Sequence, residues 1–403
     1  MKEYWLSIYS DTFIWVRNEK ICVYNAKNKA FLKDSFSEDL KKIVDGLQEI
    51  DNLYTVIITE EDLGSSVVDS WIKRLINADC CDWVANDGVT PKPISLKPVL
   101  KITDDMRYYK DCHSKGHNAN LLSNLHRLVV YLNGSEYGND TYARQCIYPF
   151  EQQKELDLRE LCDFIVSSGT LIYLSEIIFV GCLWKHHEYG KLLEFLNQLS
   201  IKVSVYCTEQ DYYHYMTEGQ TPNLPEEYAF YILKEQYPED NSVFSSFVTQ
   251  ENLTWHFFLT SEEDYMAANE LLERYKIEKY RLLPVYTGNN RKFFEDFIYT
   301  SEDEILDYKP TKREIFVNQT LNINYFGTLQ ILPGGDISGG NKVIGNIKDS
   351  LYDVVYREMT EGDSWFHIRD QKPCCDCCYQ WLCPSPSRYE SVLNKLNLCN
   401  VVE

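Results

Sequence analysis

Long apolar runs are missing from this sequence. The most apolar stretch, TLIYLSEIIFVGCLW, carries Glu176 near its middle, and at about fifteen residues it falls short of the roughly 20 that a membrane-spanning helix needs. The opening MKEYWLSIYSDTF lacks a basic segment followed by an apolar one, the pattern of a secretory signal. Both absences predict a cytoplasmic chain without a membrane partner. Positive charge is scarce as well: 40 Lys and Arg stand against 61 Asp and Glu, a formal net charge of −21. That balance opposes the counterion release on which nucleic-acid binding depends, and it argues against nucleic acid as a partner. A surface of this sign solubilises the chain and can steer a basic peptide toward it.

What is present suffices for folded domains. The chain has 403 residues, 44 % of them hydrophobic and 14 % aromatic, enough for two or three cores. Within residues 1–88, YWLSIY, FIWVR and ICVYN alternate, with Asn18, Glu19 and Lys20 as the turn between the last two, and predict a small antiparallel sheet. Leu40, Ile43, Val44 and Leu47 recur at helical spacing, as do Val67, Val68, Trp71, Ile72 and Leu75, with the strand-like YTVIIT between them. This region reads as a winged-helix-like module. Residues 89–126, with Pro91, Pro93 and Pro98 and the polar CHSKGHNAN, read as a connector. From 127 to 310 strand patterns (RLVVYLN, TLIYLSEIIFV, IKVSVYC, EYAFYILK, LTWHFFL, YRLLPVY) alternate with helical ones such as ELDLRELCDFIVSSG and SEEDYMAANELLERY. Such alternation predicts an α/β fold with a parallel sheet, here a partial (β/α) barrel. Residues 311–403 begin a new unit, with a hairpin in FGTLQILPGGDISGGNKVIGNI, a helix in KDSLYDVVYREMT and a cysteine-rich end.

Six of the fourteen cysteines fall between Cys374 and Cys399. Cys374, Cys377 and Cys383 form C-x2-C-x5-C, and with Cys399 they can close four thiolates around one tetrahedral ion or a cubane. Cys375 and Cys378 repeat the C-x2-C spacing, so two registers are open. In a reducing compartment such density predicts a metal site rather than disulfides. An all-sulfur site suits zinc and iron–sulfur alike.

The segment LQILPGGDISGGNKVIGNIKDSLYDVV followed by CCDCCYQWLCP resembles the SPASM domain that ends many radical SAM peptide maturases. Such domains usually hold two auxiliary 4Fe–4S clusters. The resemblance assigns the second to Cys374, Cys377, Cys383 and Cys399. The first lacks its ligands, because Ser338, Gly339 and Gly340 follow the hairpin glycine and Ser387 stands where a further cysteine is needed. The family also implies C-x3-C-x2-C after RLVVYLN, for the cluster that holds S-adenosylmethionine. Only Cys146 is there, and each register fails, at Phe150 and Gln153, at Tyr142 and Pro149, or at Asn139 and Ala143. The Gly-Gly-Glu-Pro motif that binds the cofactor's amino group is replaced by Gly181, Cys182, Leu183 and Trp184.

The chain therefore resembles the pseudo-radical-SAM proteins found beside Bacteroidales peptide natural-product systems whose precursors carry Gly-Gly leaders. The resemblance spans roughly residues 127–403. It implies a non-catalytic protein with one 4Fe–4S cluster (zinc being the alternative) and no S-adenosylmethionine, whose partners are a ribosomal precursor peptide and a true radical SAM maturase. In such maturases a winged-helix unit binds the leader as an added strand at an exposed sheet edge. The strand expected to do so here is Ile21, Cys22, Val23, Tyr24 and Asn25. A second reading is an enzyme that uses the retained cluster for electron transfer or a SAM-independent peptide modification.

Other candidates are weaker. Cys112, His113 and His117 lack an evident fourth ligand, and His186 and His187 read as solvated residues at a helix start. Gly334, Gly335, Gly339 and Gly340 are not followed by the Lys-Ser/Thr of a phosphate loop, so a turn accounts for them.

Overall fold

Three sheets organise the chain in the computed structural model, which describes residues 2–99, 103–115, 120–151, 155–167, 174–199, 201–217, 225–238, 242–248 and 250–401. The N-terminal part contains strands β1 (Glu3–Ile8), β2 (Thr12–Arg17), β3 (Lys20–Asn25) and β4 (Phe31–Ser35), then helix α1 (Glu38–Gln48), β5 (Thr55–Thr59), helix α2 (Ser66–Asn77) and β6 (Cys81–Ala85). They form two antiparallel sheets, β5-β1-β6 and β2-β3-β4. The β2–β3 hairpin turns through Asn18 and Glu19, both left-handed (φ 43° and 58°), as a two-residue turn between right-twisted strands requires. Ser37 caps α1 by accepting the Leu40 N–H, and Leu40, Ile43, Val44 and Leu47 are buried along one face. α2 buries Val68, Trp71, Ile72 and Leu75 in the same core, while Val67 is exposed.

The expected docking strand needs correcting. Ile21–Asn25 lies in β3, which is the centre of its sheet and pairs along its length with β2 on one side and β4 on the other. Both faces of β3 are covered too. Ile21 and Val23 pack on the helices, whereas Cys22 and Tyr24 pack against Ile305, Ile315, Cys378, Tyr379 and Leu382. A strand with its backbone paired on both sides cannot accept a third. The sequence reading missed β4, whose FLKDS has Lys33 and Asp34 where a strand pattern would place apolar residues, and so took β3 for an edge.

The large sheet has nine strands, ordered β12-β11-β10-β9-β8-β7-β13-β14-β15. Its strands β7 (Arg127–Gly134), β8 (Glu176–Gly181), β9 (Lys202–Thr208), β10 (Ala229–Lys234), β11 (Leu253–Leu259) and β12 (Tyr280–Pro284) run parallel in chain order. One face carries Leu128, Val130, Ile177, Phe179, Val205, Ile232 and Phe257, and buries them under helices Leu158–Val166, Tyr189–Asn197 and Glu262–Tyr275. Two buried faces explain near-continuous runs such as LVVYL. The C-terminal hairpin is β13 (Thr328–Ile331) and β14 (Asp336–Ser338), followed by antiparallel β15 (Val343–Asn346). β13 pairs in parallel with β7 and so joins the C-terminal unit to the parallel sheet, a pairing no sequence pattern announced. Among the described residues no helix is long and apolar enough to cross a membrane.

Candidate metal centre

The other face of the parallel sheet is covered as well. Val129, Tyr131, Ile178, Val180, Tyr206, Leu233 and Phe258 project into one cluster with Tyr142, Ala143 and Tyr148, and Cys146, Ile147 and Phe150 pack against it. These last six residues belong to the segment after β7, which folds back onto the sheet. Tyr142 stacks on Phe258 with ring centroids 5.5 Å apart, and Tyr148 meets both rings edge-on at 5.3 and 5.0 Å. Asn139, a position one register reserves for a cluster ligand, caps the turn of helix Asp140–Ala143 by accepting N–H groups of Thr141 and Tyr142. Cys146 is partly buried with its thiol on the Tyr142 carbonyl, and burial pushes its pKa up to about 12. Gln153 lies outside the described residues. At the next strand end, Asn133 Nδ2 donates to the Cys182 carbonyl at 2.9 Å, and buried Trp184 packs on Tyr215.

The C-terminal cysteines sort into two groups. Cys374, Cys377, Cys383 and Cys399 line a single cavity of about 430 Å3, together with Asn18, Arg369, Lys372, Gln380 and Asn397. Cys375 and Cys378 do not line it. Cys378 is fully buried in the core shared with β2 and β3, and its carbonyl accepts the Trp15 indole N–H at 2.9 Å. The Cys375 thiol turns to Asp376.

The lining chemistry suits anionic sulfur. Asn397 Nδ2 donates to the Cys399 sulfur at 3.2 Å, and the Tyr379 backbone N–H donates to that of Cys377 at 3.3 Å. The Arg369 guanidinium lies 3.9 Å from the Cys374 sulfur and is held by a largely buried ion pair with Glu390 at 2.9 Å. Burial pushes the Cys374 thiol above its usual range, and Arg369 opposes that shift. N–H donors and a neighbouring cation favour thiolates and tune a bound cluster. Sequence reasoning singled out none of Arg369, Lys372 and Asn397, whose local signal is that they flank the cysteines, and it placed Asn18 in a turn without linking it to this cavity.

A zinc ion with bonds of about 2.3 Å draws its tetrahedral thiolates to within about 4 Å of one another. Among the described residues only Glu155, His186 and His187 form a group of three or more metal-binding atoms all within 4.8 Å. The four cysteines share a cavity without being drawn that close together. Four thiols lining one cavity can serve a single zinc ion or, one at each iron, a cubane.

Where the resemblance places another auxiliary cluster, the site is filled. A Cβ at Gly339 would lie 2.4 Å from the Glu358 carboxyl, and one at Gly340 2.6 Å from the Tyr325 ring. Ser387 caps helix Arg388–Leu393 in a reciprocal box with Glu390. Ser338 is buried, its Oγ accepting the Gly340 N–H at 3.0 Å. Gly335 takes the left-handed turn of the hairpin (φ 83°).

The remaining candidates do not assemble a site. His186 is buried with Nε2 on the Leu156 carbonyl at 3.0 Å and Nδ1 accepting the Glu188 N–H at 3.2 Å, so both ring nitrogens are engaged. Exposed His187 pairs with Glu155. His113 stacks on Tyr356 at 3.9 Å, Cys112 packs against the main core, and His117 lies outside the described residues.

No protein-family profile and no curated protein matches the chain. Among solved structures it is similar to Streptococcus suis SuiB bound to precursor peptide SuiA, at 11 % identity over 99 % of this chain and 98 % of that one, with a TM-score of 0.46. SuiB bound to S-adenosylmethionine gives 12 % identity over 98 % and 97 %, with a TM-score of 0.42. anSMEcpe with bound AdoMet and Cp18Cys peptide gives 10 % over 68 % and 95 %, at 0.39. At such identities and scores the likeness carries no argument about chemistry, which rests on the residues above.

Proposed function

We propose that the chain is a non-catalytic accessory protein of peptide natural-product maturation, of the Bacteroidales Gly-Gly-leader type that its C-terminal motif resembles. It binds the leader of a ribosomal precursor, a bona fide radical SAM maturase, or both, and presents the peptide for modification. The observation that carries this reading is one face of the parallel sheet, where Tyr142 and Tyr148, from the segment that would have to hold the catalytic cluster, pack against Phe258 of β11. In this account one 4Fe–4S cluster is held by Cys374, Cys377, Cys383 and Cys399, S-adenosylmethionine does not bind, and the protein works in the cytoplasm.

Leader docking belongs at β4 rather than β3. The bonds Asn25 N–H to Ala30 O and Phe36 N–H to Glu19 O fix the ladder phase, so Phe31, Lys33 and Ser35 turn their backbone groups away from β3. Among the described residues no strand pairs with that outer edge, where Arg74 Nη2 donates to the Lys33 carbonyl at 3.5 Å. The opposite edge is capped: the carbonyls of Thr12, Ile14 and Val16 accept from the Tyr54 hydroxyl, Gln48 Nε2 and Arg17 Nη1 at 2.9, 3.1 and 2.8 Å. A fluorescein-labelled synthetic leader ending in Gly-Gly should bind with a micromolar or tighter constant. Ser35→Pro, which removes an outward N–H and leaves the ladder intact, should weaken it about tenfold or more, a loss of roughly 1.4 kcal/mol. Unchanged binding in that variant would remove β4 from the account. S-adenosylmethionine titrated calorimetrically should give no heat of binding.

The electron-transfer alternative uses the same four cysteines. The donors at Cys374, Cys377 and Cys399 favour it by offering the contacts that set a cluster's potential. It requires the cluster to be reduced and reoxidised by a partner maturase.

A further inference from the structure

A second cavity, of about 550 Å3, lies between the segment after β7, the C-terminal hairpin and helix Arg388–Leu393, and none of the cysteines lines it. Its charged lining residues are Arg144 and Arg388, with no Asp or Glu among the described residues. In a chain with 61 acidic and 40 basic side chains, a pocket of one positive sign is a contrast that needs a cause. Arg388 Nη1 donates to the carbonyls of Cys146 at 3.1 Å and Ala143 at 3.4 Å, which fixes the guanidinium against the loop. No carboxylate pairs with it among the described residues, and its other neighbours are the phenols of Tyr131 and Tyr325. Exposed Arg144 stands at the cavity wall.

Gln330 adds an independent observation. It is only 5 % exposed, lines the same cavity, and its side-chain amide has no hydrogen-bond partner among the described residues. Neither polar atom of that amide is among the fully enclosed, unpartnered ones, so the amide is open to the cavity and can meet a bound group. Asn341 and the hydroxyls of Thr141 and Ser391 complete a polar wall, with Ser391 Oγ donating to Asn341 Oδ1 at 3.3 Å. A guanidinium presents its N–H groups as a planar fork that matches a carboxylate.

We infer that this cavity is a binding site for a carboxylate, held by Arg388 and Arg144 with Gln330 and Asn341 donating from the side. The carboxylate comes from an acidic residue of a bound peptide or from a free small acid. The peptide source rests on the proposed function; the site itself does not.

Isothermal titration of the full-length protein with N-acetyl-glutamate amide, N-acetyl-glutamine amide, glutarate and inorganic phosphate tests the inference. The glutamate probe should bind and the glutamine probe should not. Arg144→Gln, at an exposed position, should weaken the glutamate probe about threefold and Arg388→Gln about tenfold, as expected for a lost charge-assisted pair. Should Arg388→Gln fail to fold, the Arg144 variant and the glutamine control still decide the matter. Tighter binding of the glutamate probe than of glutarate assigns the site to peptide, and the reverse assigns it to a small acid. Equal binding of the glutamine probe, phosphate binding tighter than both carboxylates, or affinity unchanged in the arginine variants would overturn it. Loss of leader binding through Ser35→Pro leaves these titrations untouched, so the two proposals fail separately.

Discussion

The cysteines of CCDCCYQWLC differ in role although their spacing repeats. Register is decided by what each side chain packs on: Cys378 faces Trp15 and the β2–β3 sheet, whereas Cys377, one residue earlier, lines the cavity. Sequence could name the two registers but not choose between them, since the choice depends on a contact with residues more than 300 positions away. Glu358 is another residue whose state no motif announces. It is buried, its Oε1 accepts the N–H groups of Ser364 and Trp365 at 3.2 and 2.9 Å, and its Oε2 has no partner among the described residues. Burial pushes its pKa from 4.5 up to about 7; the two N–H donors and Lys342 oppose the shift, and Asp363 adds to it. A carboxyl with a raised folded pKa contributes stability that is fully present below pH 4.5 and lost as pH rises through about 7. Unfolding by urea should therefore show stability falling between about pH 4.5 and 7, by a sum on the order of 3 kcal/mol. Glu358→Gln should flatten that dependence. An identical slope in both proteins would mean that the carboxyl is not held neutral.

At the scale of elements, the parallel strands were legible because their sequences are largely apolar and flanked by helical periodicity, although β12 at the sheet's edge exposes Tyr280 and Arg281. The β2–β3 turn was legible from Asn18 and Glu19. The failures have a shared cause: β4 pairs through its backbone and β13 joins β7 across nearly 200 residues, and neither pairing leaves a mark in local side-chain pattern. The segment after β7 was half legible. Its missing cysteines were plain, but their replacement by a packed aromatic cluster was not. Tyr148 is fully buried within it, so Tyr148→Ala should cost about 3–5 kcal/mol, as for other large aromatic truncations. A loss below about 1 kcal/mol in urea unfolding would mean that the segment is not a packed plug but a surface loop.

At the scale of the whole molecule, the cysteine-rich segment lies against the N-terminal sheet. Besides the Trp15 contact, Arg17 Nε donates to Gln380 Oε1 at 3.0 Å, Lys33 Nζ reaches the Tyr379 hydroxyl at 2.7 Å, and Tyr24 donates to the Pro310 carbonyl at 2.7 Å. Asn18, at the tip of the β2–β3 hairpin, forms part of the metal cavity wall. If Cys374, Cys377, Cys383 and Cys399 hold the proposed cluster, its loss should loosen the N-terminal sheet as well as the C-terminal end, because metal binding supplies folding free energy to the segment that both share. Amide exchange in β2 and β3 should quicken in Cys377→Ser relative to the intact protein. Exchange confined to residues 374–399 would show the two regions to be uncoupled.

The most direct test of the central claim, that one cluster site survives in a barrel closed to catalysis, is the iron, acid-labile sulfide and zinc content of protein purified without oxygen. The account predicts about four iron and four sulfide per chain, lost in Cys377→Ser and Cys383→Ser and kept in Cys375→Ser and Cys378→Ser. One zinc per chain without sulfide would contradict the cluster, and about eight iron per chain would contradict the closed barrel.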